Sequence, residues 1–512
     1  MAADVSGAEA WIAPITNVSD FIWGGTWNGE PLWWFSIAGQ PIPPMTIILL
    51  GIGIYIMAGL KFYPIRKMGA AFKGLLAGRK GEGEGEISPF AALSTALSGQ
   101  VGTGNLAGVA TAIALGGPGA IFWMWITALV GMALAFAEGS LAIRYRETAS
   151  DGAKRGGPMT YIMMGLGPKW TWLAVVFCIG TLFSALVTGN SIQANAVADG
   201  LNELFGIEEW IGGAIVAALV FVVIIGGIKS IGSVAEKVIP FMMIAYVIMA
   251  IIALIINIAD IPETFYLIFH SAFNPSAAAG GFLGATMVMA IRAGVARGLF
   301  SNEAGQGSTA IAHAVAQTDD PETQGRMAML GTFIDTIVIC TMTALVILTV
   351  RGDFTAGGEA VLHAWQSDRV GFEMTSGAFA AAFPTQIAGI AIGTLIASTA
   401  LILFVFTTLL TWSYYGERAI TFLYDRIPGS NRGGEKVLHI GWRVVWCLVI
   451  FLAAAQPSEL VWRLGDISNA AMALPNLLAL LLLSGVVFKL ASGDKAAGKN
   501  FHADTPEEPN EY

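Results

Sequence analysis

Apolar stretches separated by short polar connections run along most of the chain, and eleven have the length of a bilayer span: 45–62, 88–115, 119–143, 171–198, 210–228, 238–258, 282–313, 327–349, 386–413, 440–456 and 466–488. A helix needs about 20 apolar residues to cross hydrocarbon. Two stretches are interrupted in mid-span by glycine-rich polar sequence: Ser98 to Asn105 (SGQVGTGN), and Gly294 to Gly307 (GVARGLFSNEAGQG). Backbone polar groups in hydrocarbon must be satisfied within the protein, so non-helical backbone survives there only when buried in protein or lining a cavity. With the first span set aside, ten remain in two sets of five, each opening on an interrupted helix. Five is odd, so the sets are inverted relative to one another. Paired broken helices in corresponding halves point to the midplane site of a secondary transporter.

Charge fixes an expected orientation. No lysine or arginine precedes Lys61, and alternating sides from there places 22 of the 27 basic residues on one face. The excess marks the cytoplasmic side, which puts the N-terminus outside and the C-terminus inside a plasma membrane. The expected organisation is then a tryptophan-rich extracytoplasmic segment (1–44), the first span with a basic and acidic loop (45–87), a first five-helix repeat (88–258), a second (259–490) with a long external loop (351–385), and a disordered cytoplasmic tail (491–512). GEGEGE at 81–86 reads as a flexible loop, and AFAAAF at 378–383 as a short re-entrant helix.

Composition agrees with a membrane protein: 512 residues, 55% hydrophobic and 12% charged, against about 25% charged in soluble domains. The net charge of −9 argues against a nucleic-acid surface. The partners expected are lipid and a small molecule; nothing in the pattern sets an oligomeric state. Cys178, Cys340 and Cys447 all fall in apolar stretches and read as packed thiols. No pair among the five histidines has metal-ligand spacing. No nucleophile–base pair is apparent, which disfavours an enzyme, and inverted breaks within one chain fit a symmetric channel poorly.

At the first break, Gly99, Gly102 and Gly104 free the backbone from helical geometry. Carbonyls near Ser98 and Val101 are then candidates for a cation, and amides from Gly102 through Thr103 and Gly104 to Asn105, at the positive end of the following half-helix, for a carboxylate. The second break crowds Arg297, Phe300, Ser301 and Glu303 together. Arg and Glu at depth each cost about 2.5–3.5 kcal/mol on insertion scales, so they need partners or an aqueous path. An Arg–carboxylate pair locking helices competes with a substrate role for Glu303. Glu138 and Asp335 are further intramembrane carboxylates, read with Arg297 and Glu303 as a structural network, with ion ligation or proton relay as alternatives. Asn190, Gln193 and Asn195 recur on the fourth span, and Thr407, Thr408 and Thr411 precede Trp412 on the ninth. Hydroxyl oxygens suit a hard monovalent cation, although threonine also bonds its own helix.

GGPGAIFWMWITALVG at 116–131, GVARGLFSNEAGQGS at 294–308 and GQVGTGN at 99–105 resemble the signature sequences of the alanine/glycine:cation symporter family. The resemblance covers roughly 45–490. It implies an all-α polytopic protein of about eleven transmembrane helices, one extra first helix preceding a 5+5 inverted-repeat core of leucine-transporter type. It also implies import of small neutral amino acids, chiefly alanine and glycine, with sodium as coupling ion. By position, Gly102, Thr103, Gly104, Asn105, Gln193, Phe300, Ser301 and Trp412 would bind substrate, and Gly99, Val101, Thr407 and Thr408 would hold sodium. The same fold coupled to protons through Glu303, Asp335 or Glu138 is the alternative. Thr160, where family members often carry tyrosine, and the long N-terminal segment depart from the pattern.

Overall fold

Ser88 and Pro89 begin the first broken helix as its sequence dictates. The Ser88 hydroxyl accepts the Ala91 N–H at 3.1 Å, and the proline occupies the first turn, where no amide is needed. The computed structural model describes residues 5–32, 36–37, 40–41, 43–149, 152–274, 287–456, 458–494 and 496–498. Trp33, Trp34, the start of the 282–313 stretch and residues 499–512 of the expected tail lie outside them.

The described helices used below are α1 (Val5–Gly24), α2 (Pro44–Gly59), α3 (Pro89–Gln100), α4 (Val109–Gly116), α5 (Ala120–Arg144), α6 (Thr171–Leu186), α7 (Ile192–Phe205), α8 (Glu209–Ile224), α9 (Gly227–Ile256), α10 (Met287–Asn302), α11 (Ser308–His313), α12 (Pro321–Thr332), α13 (Thr341–Thr349), α14 (Gly371–Ala382), α15 (Ile392–Tyr424), α16 (Arg432–Ala453) and α17 (Ser458–Leu482). Each of the eleven apolar stretches is mainly helical where described, apart from the two breaks and a short hairpin at 386–391, and among the described residues seven helical runs are long and apolar enough to cross a bilayer. α8, α9 and α16 turn rows of Ile, Val and Phe outward, including Val222, Phe241, Ile244 and Val437, as lipid contact requires.

Packing follows the inverted layout. α3 lies beside α11 and α4 beside α10, so the broken helices run side by side in opposite order. α5 packs on α12, α7 on α15 and α8 on α16, each pairing joining corresponding members of the two halves. The contact of α6 with α17 has its counterpart in that of α15 with α9. The protein is therefore an all-α polytopic membrane protein with two broken helices, the layout that the resemblance to a leucine-transporter-type core implies.

Both breaks are narrower than the glycine pattern suggests. α10 stays helical through Asn302, and Gly294 serves packing, because a Cβ there would stand 2.4 Å from Ala120 O on α5. Backbone departs from the helix only over Glu303–Gly307, where Glu303, Gly305 and Gly307 have φ of 56°, 90° and 84°. At the first break α3 ends at Gln100, Val101 is extended, and a wide π-helical turn over Gly104–Gly108 leads into α4. Similar turns at Val187–Ser191 and Phe333–Cys340 join α6 to α7 and α12 to α13.

Three connections and the tail differ from expectation. GEGEGE is pinned: Glu82 N–H and Glu86 N–H donate to Gln317 O and Val315 O at 3.0 and 2.8 Å. Lys154 pairs with Glu84 and holds its carboxyl below the usual range, and Lys229 pairs with Glu86 at 3.3 Å. The 229–237 loop is instead the first turns of α9. The tail begins docked, with Arg144 Nε donating to Ala497 O at 2.5 Å. In the external loop, a hairpin (Arg351–Ala356 with Glu359–His363) precedes α14, which is longer than AFAAAF and buries its Thr375 against Leu106 O at 2.9 Å.

Glu138 on α5 holds the second break open. Its Oε1 accepts Gly305 N–H at 2.9 Å, Gly307 N–H at 3.0 Å and Asn476 Nδ2 at 2.7 Å, so a carboxylate caps the start of α11. Asn476 Nδ2 also reaches Gly305 O at 3.0 Å, and Tyr161 OH donates to Asn476 Oδ1. Leaving a buried amide unpaired costs about 1–3 kcal/mol. Glu138→Ala should therefore lower stability by about 3 kcal/mol and Glu138→Gln, which keeps an acceptor, by less. Thermal unfolding in detergent measures both; an unshifted melting temperature in the alanine variant would refute the role.

Candidate functional site

The two breaks meet where α7, α12, α13, α15 and α17 converge. On the first, the freed amides are taken by side-chain oxygens. Gly102 N–H donates to Asn105 Oδ1 at 2.9 Å, and Thr103 N–H and Oγ1 donate to Gln193 Oε1 at 3.1 and 2.7 Å. Gln193 is positioned by the π-helical turn before α7, and its Nε2 donates to Thr188 O at 3.2 Å. The space is tight: a Cβ on Gly102 would stand 2.6 Å from Thr408 Oγ1, and one on Gly104 3.0 Å from Phe300 Cδ1.

Neutral oxygens gather where this break faces α15. Thr408 Oγ1 lies 3.2 Å from Val101 O and 3.0 Å from Phe404 O. Thr407 Oγ1 lies 2.9 Å from the same Phe404 O, so its hydroxyl bonds its own helix, while its carbonyl accepts Ser98 Oγ at 2.6 Å. Gly99 sits against Thr411 and Tyr415 rather than among these oxygens. Thr411 Oγ1 reaches Ser98 Oγ at 2.9 Å and Thr95 O at 3.1 Å. Ser98 and Phe404 O thus join the set that hydroxyl spacing alone picked out.

Asp335, fully buried, ties the two breaks together. Its Oδ1 accepts Asn105 Nδ2 at 2.6 Å, and its Oδ2 accepts Ser301 Oγ at 2.8 Å and Thr336 Oγ1 at 2.7 Å. These partners are all neutral. Gln100 Nε2 adds a bond to Asn302 O at 2.5 Å. Glu303 is also buried, its Oε1 accepting Trp412 Nε1 at 2.9 Å and its Oε2 accepting Ser308 Oγ at 2.5 Å. Trp412 therefore lies fully buried against Glu303 and Gly189, below the break, rather than on an open wall.

The expected Arg–carboxylate lock forms with a different acid. Arg297 pairs with Asp466 of α17 at 3.0 Å and lies over the Trp462 ring, 4.8 Å from its centroid. Asp466, Trp462 and Asn476 were not singled out by sequence. Asp466 and Asn476 carry only the signal of polarity within the last apolar stretch, and Trp462 lies in the connection before it. Phe300 packs on Trp462 with centroids 4.9 Å apart, beside Ile192 and Val461. This aromatic floor ends a vestibule of about 940 Å³, reached by Thr103, Ile192, Arg297 and Asp466 and rimmed by α1, α14 and the start of α17. Of the expected substrate residues Thr103 lines it directly and Phe300 backs its Trp462 wall, whereas Gln193, Ser301 and Trp412 are buried away from it.

Such an arrangement offers a small solute unwound backbone on one side and buried polar side chains on the other. Among the described residues no three His, Cys, Asp or Glu side chains gather as a metal cluster. The fold is similar to that of the manganese transporter of Eremococcus coleocola, at a TM-score of 0.50 and 14% identity over 81% of this chain and 88% of that one. In sequence the chain is 41% identical to the sodium/alanine symporter AgcS of Methanococcus maripaludis over 480 residues, 93% of this chain and 96% of the relative. It is 36% identical to the probable sodium/glutamine symporter GlnT of Bacillus subtilis, over 89% of each. Residues 36–503 match the sodium:alanine symporter family, and the chain belongs to that family of membrane transporters.

Proposed function

We propose that this protein imports small neutral amino acids, alanine and glycine, together with sodium, by alternating access. The observation that carries the reading is the first break. There the Thr103 amide is held by an exchangeable side-chain oxygen, Gln193 Oε1, a few residues from the converging oxygens of Val101, Phe404, Thr407 and Thr408. In the proposed bound state a substrate carboxylate takes the place of Gln193 Oε1 at Thr103, with Gly102, Gly104 and Asn105 supplying the surrounding backbone. Sodium takes the hydroxyl and carbonyl oxygens below, including Val101 O and those of Thr407 and Thr408. Gly99, in the last turn of α3 before Val101, lets that turn pack closely on Thr411 and Tyr415.

Size selection follows from the close fit of Gly102 and Gly104 to Thr408, Gln193 and Phe300. Each methylene that a shaped pocket must accept or refuse changes binding by about 1–3 kcal/mol. Ser301 and Asp335 set the floor between the breaks, and Trp412 fixes Glu303 beneath it. The positive-inside asymmetry supports a vestibule on the extracytoplasmic side, with repeats over 88–258 and 259–490. One sodium ion moving inward through 100 mV contributes about 2.3 kcal/mol before its concentration gradient is added. That supports uphill uptake of a zwitterion.

A proton-coupled symporter is the second reading, because Asp335 has only neutral hydrogen-bond partners and is able to carry a proton as well as face a cation. Uptake of labelled L-alanine into proteoliposomes separates the two. Concentrative uptake is expected with an inward sodium gradient and not with equimolar potassium at fixed pH. Uptake that ignores sodium but follows an imposed pH gradient would move the coupling to the proton. Thr408→Ala should raise the half-saturating sodium concentration about tenfold, the worth of one lost oxygen ligand at ~1.4 kcal/mol. An unaltered sodium dependence would remove Thr408 from the ion site.

A further inference from the structure

α1 precedes the family match, which begins at residue 36, yet it reaches into the mouth of the vestibule. Asp20 Oδ1 lies 3.3 Å from Arg292 Nη2 on α10 and 3.5 Å from Arg463 Nη1 on α17. One carboxylate oxygen thus stands between two guanidinium groups carried on different helices. Three residues on, Trp23 is 3% exposed and its Nε1 donates to Asp466 O at 2.8 Å. Asp466 is consequently held twice, by its carbonyl to α1 and by its carboxylate to Arg297 of α10. Gly24 follows because the Arg292 guanidinium lies against it; a Cβ there would stand 2.9 Å from Nη1.

We propose that Asp20 and Trp23 are positioning residues of the transport cycle, through which α1 ties α10 to α17 across the outer mouth and limits its opening. The inference rests on the alternating-access reading, since α10 is half of a broken helix and α17 packs on α6 outside it. The physics is a charge balance. Without the Asp20 carboxylate, Arg292 and Arg463 share with Arg297 the single remaining carboxylate that acts on all three, that of Asp466, and the surplus positive charge spreads the mouth. Glu459, 3.4 Å from Arg463 Nε, is largely exposed and shields only that side. Loosening the tie favours the outward-open state, so external alanine binds more readily while the closing step slows.

The test reads the mouth itself. Thr111, which lines the vestibule on α4, is replaced by cysteine in the full-length protein, and its reaction with a membrane-impermeant maleimide is timed without substrate. The unsubstituted chain gives the background from Cys178, Cys340 and Cys447. Asp20→Asn and Trp23→Phe should each speed labelling about threefold or more through the shift toward the open state, and Asp20→Glu should keep the parent rate. In uptake assays both KM and kcat for alanine should fall in Asp20→Asn. Labelling unchanged in both variants overturns the proposal, including when thermal stability drops, because that pattern assigns α1 a purely structural role. Labelling requires neither alanine nor sodium, so an error in the assigned cargo leaves this result standing and shows separately, as absent uptake.

Discussion

Every backbone group freed inside a bilayer has to find a partner within the protein, and the core of this molecule is organised around meeting that demand twice. The two breaks do so differently. At Gly305 and Gly307 the amides close on the carboxylate of Glu138, which is itself fixed by Asn476. At Gly102 and Thr103 they close on the neutral amide oxygens of Asn105 and Gln193. One Glu138 oxygen gathers donors from Gly305, Gly307 and Asn476 and so joins three separate segments, whereas each acceptor at the first break serves one residue. The second break is therefore an anchor, and the first is the one whose partners another oxygen can replace.

Asp335 connects these unequal halves. It binds Asn105 on one side and Ser301 on the other, so rearrangement at the first break is felt at the end of α10. Because α10 also carries Arg297, and through it Asp466, the same connection extends to the vestibule. The first break thus sits at one end of a chain of polar contacts that reaches Arg297 and Asp466 at the vestibule. Buried polar groups of this kind are costly unless each is paired, which explains why so many short hydrogen bonds converge on so few residues.

Much of this was legible in the sequence because hydrocarbon imposes so strong a rule. Apolar length located the helices, and glycine beside Gln100, Thr103 and Asn105 located the first break. Partners far apart in sequence were less legible: Arg297 with Asp466, Glu138 with Asn476, and Ser98 with Thr407 lie on separate spans and carry no local signal. Helix ends were also misjudged. α9 begins inside what reads as a polar loop, because the apolar face of Gly227–Glu236 is too short to stand out from its charges. GEGEGE looked loose since its partners, Lys154, Lys229 and the 315–317 backbone, are nowhere near it in sequence.

The π-helical turn at Val187–Ser191 has an effect on phase. An α-helix advances about 100° per residue, and a π-turn inserts one residue without lengthening the helix by a full step. α6 turns Ser184 toward Asn469 on α17, and past the insertion α7 turns Gln193 toward Thr103. One helix thereby serves two faces that an uninterrupted spiral would have placed out of alignment. Shortening this turn by a single residue would rotate everything beyond it by roughly a quarter of a circle. The binding geometry is thus encoded partly in a residue count, independent of which side chains fill it.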